Sequence, residues 1–281
     1  MRIAHQGTTG AYSEEALVQH FGDLVARVAL PSFEDVFDAV AAGRVDAGVV
    51  PIENSLAGSV LETYDLLLEH ELQVVGEIDL AVRHCLLAPR GTSLSDVRHC
   101  YSHPQALRQC ARFLAEHEIE PRAAANTAVA ARDLAAAPAP GDAAIASARA
   151  GAIHGLEVLA ADIQTRHDNT TRFFVVQAGR PKDLPASKAS LAFATRNEPG
   201  ALLACLEAIA AQKLNLTKLE SRPTGDALWE YTFYADIEAA DRGQLDAERV
   251  VELLRALADR VTHARLIGRY PRASAADSVI I

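Results

Sequence analysis

The sequence predicts an α/β protein of two related lobes, followed by a smaller α+β unit of ferredoxin-like order. Three observations predict it. Strand and helix patterns alternate up to Gly179, one strand-helix-strand pattern occurs there twice, and a β-α-β-β-α-β order follows a turn-rich break. At about 150 residues per domain, a length of 281 residues fits two domains.

The first copy of the repeat begins near Arg27 with a short apolar strand. Ser32 suits a helix N-cap, Phe33, Val36, Phe37 and Val40 follow at helical spacing, and Gly43 closes the helix. Residues 46–52 then read as a buried strand. The second copy has a strand over 121–125, Asn126 as cap, an alanine-rich helix to about Ala137 and a strand over 142–146. Asp46 and Asp142 open equivalent strands. Such alternation favours mostly parallel sheets with helices on both faces, which hold ligands beyond the C-terminal ends of their strands. The functional loops are therefore expected after Ile52 and Ala146.

Residues 179–187, Gly-Arg-Pro-Lys-Asp-Leu-Pro-Ala-Ser, have the composition of a linker. They divide the chain into a first domain over 1–182, a second over 188–272 and a loose tail over 273–281. In the second domain 190–195 alternates as a strand, and Leu202, Leu203, Leu206, Ile209 and Ala210 form a helical stripe. A strand over 214–221 comes next. Tyr231, Phe233, Ala235 and Ile237 share one face of another, before a helix over 247–257 and a strand over 263–269.

Hydrophobic residues at 49% and charged residues at 23% fit a packed globular protein. With 37 acidic against 27 basic side chains and no Lys/Arg run, nucleic acid is not expected as a partner. Cys85, Cys100, Cys110 and Cys205 form no C-x-x-C pair, so they read as buried thiols in a reducing compartment, without a metal site. The N-terminus lacks the apolar core of a secretory signal, and no stretch reaches the roughly 20 apolar residues of a membrane span. A cytoplasmic location with no membrane partner is expected.

Four loop segments are more polar than packing requires. Gly7-Thr8-Thr9-Gly10-Ala11-Tyr12-Ser13 leads from a strand into a helix and offers backbone N–H groups to an anion. Pro51-Ile52-Glu53-Asn54-Ser55 follows a buried strand, where Asn54 or Ser55 also suits a helix cap. Ser102-His103-Pro104-Gln105 starts a helix, and Ser102 also suits a cap. Asp168-Asn169-Thr170-Thr171-Arg172-Phe173 places a hydroxyl and a guanidinium before an apolar run, and an arginine there can grip a carboxylate through paired hydrogen bonds.

Together with Gly10-Ala11-Tyr12-Ser13-Glu14 and Asn126-Thr127-Ala128, these segments resemble the prephenate dehydratase family over nearly the whole chain. The resemblance implies a two-lobed catalytic domain like that of periplasmic binding proteins, with the substrate in the cleft and no metal or organic cofactor. On matching positions the resemblance implies Thr171 beside the leaving hydroxyl, Arg172 on a carboxylate, and Asn54, Ser55 and Gln105 to bind and orient the substrate. It further implies Phe173 as a wall of the site and Glu53, Ser102 and Thr8 as binding residues, with Glu53 ranked below Thr171 as an acid.

Asn197-Glu198-Pro199-Gly200-Ala201-Leu202-Leu203 and Leu216-Thr217-Lys218-Leu219-Glu220-Ser221-Arg222-Pro223 resemble the ACT regulatory module. In that module the two segments, from adjoining subunits, enclose phenylalanine. The resemblance thus implies Gly200, Ala201, Leu202, Leu203, Glu220, Ser221 and Arg222 as effector residues in a homodimer or homotetramer. With no chorismate mutase segment before Met1, the preceding step is expected on another protein. Three readings compete: arogenate dehydratase, a non-enzymatic binding module, and a second domain that serves only for assembly.

Overall fold

The computed structural model describes residues 1–179, 185–223, 230–239 and 243–273. The chain opens with β1 (Arg2–Gln6), α1 (Tyr12–Phe21), β2 (Ala26–Leu30), α2 (Phe33–Ala41), β3 (Ala47–Asn54), β4 (Gly58–Ser59), α3 (Leu61–Glu69) and β5 (Leu72–Ala81). It crosses into a second lobe of β6 (Cys85–Ala88), β7 (His99–Ser102), α4 (Pro104–Gln109), α5 (Ala111–Glu116), β8 (Glu120–Ala123), α6 (Thr127–Ala136), β9 (Asp142–Ala146), α7 (Ala148–His154) and β10 (Glu157–Ala160). It returns to the first lobe as β11 (Thr170–Ala178).

Both copies of the repeat are present, with local chemistry that fixes their boundaries. Ser32 Oγ accepts the Asp35 N–H at 3.0 Å while the Asp35 carboxylate accepts the Ser32 N–H at 3.2 Å. Asn126 Oδ1 accepts the Val129 N–H at 2.8 Å. These caps satisfy donors that a helix start otherwise leaves unpaired.

In the first lobe β2, β1 and β3 are parallel, as are β8, β7 and β9 in the second. The strands that enter each lobe, β11 and β6, run antiparallel to β3 and β9 respectively. The reason is directional: the parallel strands end at the cleft, and a chain arriving from the other lobe starts there. The two crossings are also tied together. Val82 N–H donates to Asn169 O at 2.8 Å, Ile163 N–H to His84 O at 3.0 Å, and His84 N–H to Gln164 Oε1 at 2.8 Å.

The last part comprises β12 (Lys188–Ala194), α8 (Ala201–Ala211), β13 (Leu214–Pro223), β14 (Tyr231–Ala239), α9 (Ala247–Leu257) and β15 (His263–Tyr270). Its strands lie in the order β13-β14-β12-β15, all antiparallel, which is the ferredoxin-like arrangement. Of the linker residues, 180–184 lie outside the described residues, as do 274–281 of the tail.

The unit joins the first lobe more closely than a linker suggests. Gly268 of β15 pairs in parallel with Val74 of β5, so one sheet runs through both. A Cβ at Gly268 would collide with the Val74 carbonyl oxygen, so the junction needs glycine. Beneath it Tyr234, Ile267 and Tyr270 share a buried core with Phe37, Val50 and Phe174. The opposite face of the ferredoxin-like sheet packs Leu191 and Phe193 on Ile209 and Leu253 of its own helices. No described helix is long and apolar enough to cross a membrane.

Candidate active site

A cleft of about 440 Å³ lies between the lobes. Its centre is set by strand register. Thr171 of β11 stands opposite Asn54 of β3, and the next pair, Arg172 and Glu53, points to the other face because side chains alternate along a strand. Thr171 and Phe173 line the cleft; Phe174 is buried in the core behind it.

The orientation of Asn54 is fixed by backbone. Its Oδ1 accepts the N–H groups of Leu56 at 3.1 Å and Ala57 at 2.9 Å, so its amide nitrogen turns the other way. That nitrogen donates to Thr171 Oγ1 at 2.9 Å and to Asn169 Oδ1 at 2.7 Å. Thr171 thus accepts from Asn54, and its own O–H proton remains to be donated. The network continues from Asn169 Nδ2 to Gln109 Oε1 at 3.2 Å, from Gln109 Oε1 to His84 Nε2 at 2.7 Å, and from His84 Nδ1 to the Tyr12 hydroxyl at 2.8 Å. Burial holds the His84 pKa below its ordinary value, against a smaller opposing effect of the Gln109 hydrogen bond.

Gln105 lies at the start of α4, where His103 Nδ1 accepts its N–H at 3.2 Å and Pro104 occupies a position that needs no donor. Tyr12 begins α1, and Asn126 and Thr127 begin α6, so three helix starts contribute to the cleft wall. Among the described residues, no Asp, Glu, Lys or Arg side chain lines it. Uncharged donors and helix starts, with the imidazoles of His84 and His103, are what the wall offers an anion.

The structure brings Thr171, Phe173, Asn54 and Gln105 together at the cleft and leaves five other expected site residues out of its lining. The Arg172 guanidinium lies behind the sheet, away from the cleft lining, 2.8 Å from Glu53, 2.8 Å from Asp236 and 3.7 Å from Glu77. Glu53 is held there by Arg172 and by Lys218 at 2.8 Å. Partial burial alone would raise its pKa, yet the Lys218 ammonium and the Arg172 guanidinium draw it below the ordinary value, so Glu53 is a poor proton donor. Ser55 Oγ donates to Asp168 O at 2.9 Å and accepts the Thr170 N–H at 3.0 Å, which pins its loop to the start of β11. Ser102 is fully buried and donates to Ile145 O at 2.7 Å, which joins two strands of the second lobe. Thr8 closes a turn through its carbonyl, which accepts the Ala11 N–H at 3.0 Å.

Sequence reasoning missed His84 and Gln109. Gln109 lies one helical turn after Gln105, a spacing that puts both on one face and was a readable signal. His84 gave no signal beyond its place after Arg83 and before the apolar run of β6.

The expected effector residues lie at the start of α8 and on β13. Gly200 has a φ of 86° at the helix cap, Ala201 and Leu202 are half-buried, and Leu203 is exposed. On β13, Lys218, Glu220 and Arg222 face the first lobe while Ser221 alternates outward. Glu220 accepts a short hydrogen bond from Ser59, a residue of the cleft wall, and Arg222 Nε meets Asp65 of α3 at 3.1 Å. β13 is also the terminal strand of the sheet.

Comparison with known proteins agrees with this architecture. Residues 3–181 match the family model for prephenate dehydratase. A chloroplastic arogenate dehydratase/prephenate dehydratase of Arabidopsis thaliana is 40% identical, over 96% of this chain and 73% of its own. The crystal structure of a prephenate dehydratase from Arthrobacter aurescens in complex with L-Phe has a TM-score of 0.86 and 31% identity, covering 100% of this chain and 93% of that one. A structure described as GqqA, a novel type of quorum quenching acylase, has a TM-score of 0.86 and 33% identity, covering 98% and 99%.

Proposed function

The chain belongs to the prephenate dehydratase family, and we propose that it converts prephenate to phenylpyruvate, with phenylalanine as its regulator. The observation that carries the catalytic reading is the Thr171–Asn54 pair, in which the asparagine amide leaves the threonine proton free to donate. In the reaction the bond from the ring to its carboxylate breaks, that electron pair enters the ring, and the opposite C–O bond breaks as hydroxide departs. Carbon dioxide leaves, and the hydroxide becomes water on taking a proton. A hydroxyl that donates to this oxygen stabilises the charge that grows on it, an interaction stronger in the transition state than in bound substrate.

The neutral cleft suits this chemistry. The ring carboxylate loses its charge in the reaction, so a guanidinium clamped on it would hold the ground state more tightly than the transition state. Placing Arg172 behind the sheet avoids that penalty. The side-chain carboxylate keeps its charge and is met by helix starts and amide donors such as Gln105. Arogenate carries an ammonium where prephenate carries a keto group, and the lack of a lining carboxylate among the described residues favours prephenate.

Phenylalanine is assigned to the start of α8 and the outward face of β13, completed by an adjoining copy in a homodimer or homotetramer. The L-Phe complex of the Arthrobacter relative and the terminal position of β13 support this. A cytoplasmic location is supported by four buried free cysteines. The test is an ultraviolet assay of the purified chain with prephenate and with arogenate, each with and without phenylalanine, plus calorimetry with phenylalanine. Phenylpyruvate from prephenate, suppressed by phenylalanine, is expected. No product from either substrate would overturn the reading, and arogenate preference would replace its substrate.

A further inference from the structure

We infer that His84 is a positioning residue for Thr171, acting through a hydrogen-bonded chain that runs across both crossings between the lobes. The inference rests on the catalytic reading of Thr171 above. The chain has six members. Tyr12 belongs to the first lobe, His84 to the outward crossing, Gln109 to the second lobe, Asn169 to the return crossing, and Asn54 and Thr171 to the first lobe again. Every link is 3.2 Å or shorter.

The polarity of the chain follows from what each group can donate. Thr171 keeps its proton for the cleft only while the Asn54 amide nitrogen faces it. If that amide flipped, its oxygen would take the threonine proton. Asn54 is held by two backbone N–H groups and by Asn169 Oδ1, which in turn commits Asn169 Nδ2 to Gln109 Oε1. Gln109 must then present oxygen, not nitrogen, to His84. An imidazole meets that oxygen only with a proton on Nε2. In the neutral ring this leaves Nδ1 as an acceptor, and the Tyr12 hydroxyl stands 2.8 Å from it. The Tyr12 hydroxyl also donates to the Arg83 carbonyl at 2.8 Å, so its single proton is shared between that oxygen and Nδ1.

The His84 Nε2–H is thus the donor that keeps Gln109 Oε1 turned toward Asn169, and it adds to the two backbone N–H groups that hold Asn54. His84 is 2% exposed, and Asn169 is equally buried, so water cannot readily replace either partner. Because the links alternate between lobes and crossings, the geometry that orients Thr171 is complete only when the two lobes hold their present separation.

Two substitutions separate the ring nitrogens. The amide nitrogen of His84→Gln reaches the place of Nε2 and still donates to Gln109. His84→Asn reaches only the place of Nδ1 and leaves Gln109 free to turn. With prephenate, His84→Asn is expected to lower kcat by about 30-fold with KM within about twofold, and His84→Gln to keep kcat within about threefold. Equal losses in both variants, near-normal turnover in His84→Asn, or a loss carried by KM would overturn the relay. Nitrogen NMR of the histidine-labelled wild-type chain tests the polarity without substrate. A neutral His84 with its proton on Nε2 is expected, and a proton on Nδ1 would overturn the inference. Failure of the wild-type chain to turn over prephenate would instead count against the catalytic reading, while the NMR result still judges the chain.

Discussion

Arg172 Nη1 lies 2.8 Å from the Asp236 carboxylate, so the residue beside Thr171 on β11 is anchored in the ferredoxin-like unit. The link is part of a buried ionic layer between the two parts of the molecule. Lys188 of β12 meets Glu77 of β5 at 2.7 Å, and Lys218 of β13 meets Glu53 of β3 at 2.8 Å. The residues next to the Thr171–Asn54 pair are thus gripped from behind by the unit that carries the proposed effector residues. A shift of that unit has a direct mechanical route to the cleft, through β11 and β3.

Arg172→Lys is predicted to act on stability before affinity. An ammonium cannot hold Glu53 and Asp236 through separate nitrogens as the guanidinium does, and a buried charge left unpaired costs about 3–5 kcal/mol. The melting temperature is expected to fall by several degrees with KM for prephenate within about twofold. A tenfold rise in KM at unchanged melting temperature would restore Arg172 as a carboxylate clamp.

Thr171→Ala removes the donor at the leaving oxygen. Loss of one such donor typically lowers kcat by about 10²–10³, and Thr171→Ser is expected to recover most of it because the hydroxyl returns. Steady-state kinetics decide the matter, with circular dichroism to check the fold. Near-normal turnover in the alanine variant would remove Thr171 from the mechanism.

Gly268→Ala places a methyl group against the Val74 carbonyl at the junction of the two sheets. The strands must separate there, a strain of about 1–3 kcal/mol or more. Denaturant unfolding is expected to show a lower midpoint, and an unchanged midpoint would mean that the junction tolerates separation without loss.

Acid should weaken the fold in a specific window. His84 and His5 are both held below their ordinary pKa of 6.5, chiefly by burial. Below that value the unfolded chain takes up protons that the folded chain refuses, so stability falls as pH drops from about 6.5 toward the folded values. The depressed pKa of Glu53 adds a further loss lower down, as pH falls from 4.5 through its folded value. Melting temperature against pH should show the first decline, and His84→Gln should flatten it. An identical slope in that variant would mean that His84 does not carry the effect.

Local physics made much of the architecture legible from the chain. Ser32 and Asn126 announced helix starts because capping is a contact between residues three apart. The β-α-β-β-α-β order was readable because helical and strand periods differ over a few residues. Asn54, Gln105, Thr171 and Phe173 came from motif resemblance, and all four line the cleft.

The sequence by itself determined the motif that holds Thr171 and Arg172, which reads there as a loop; in the structure both lie on β11, and alternation along the extended backbone turns them to opposite sides. Only the tertiary structure decided which side is the cleft. The ferredoxin-like unit covers the other side and brings Asp236 to Arg172, a contact between residues far apart in the chain. The same holds for Ser102, turned inward to the Ile145 carbonyl, and for His84, whose partners come from both lobes. Long-range pairings of this kind follow from how the sheets cross and join, and no local pattern encodes them.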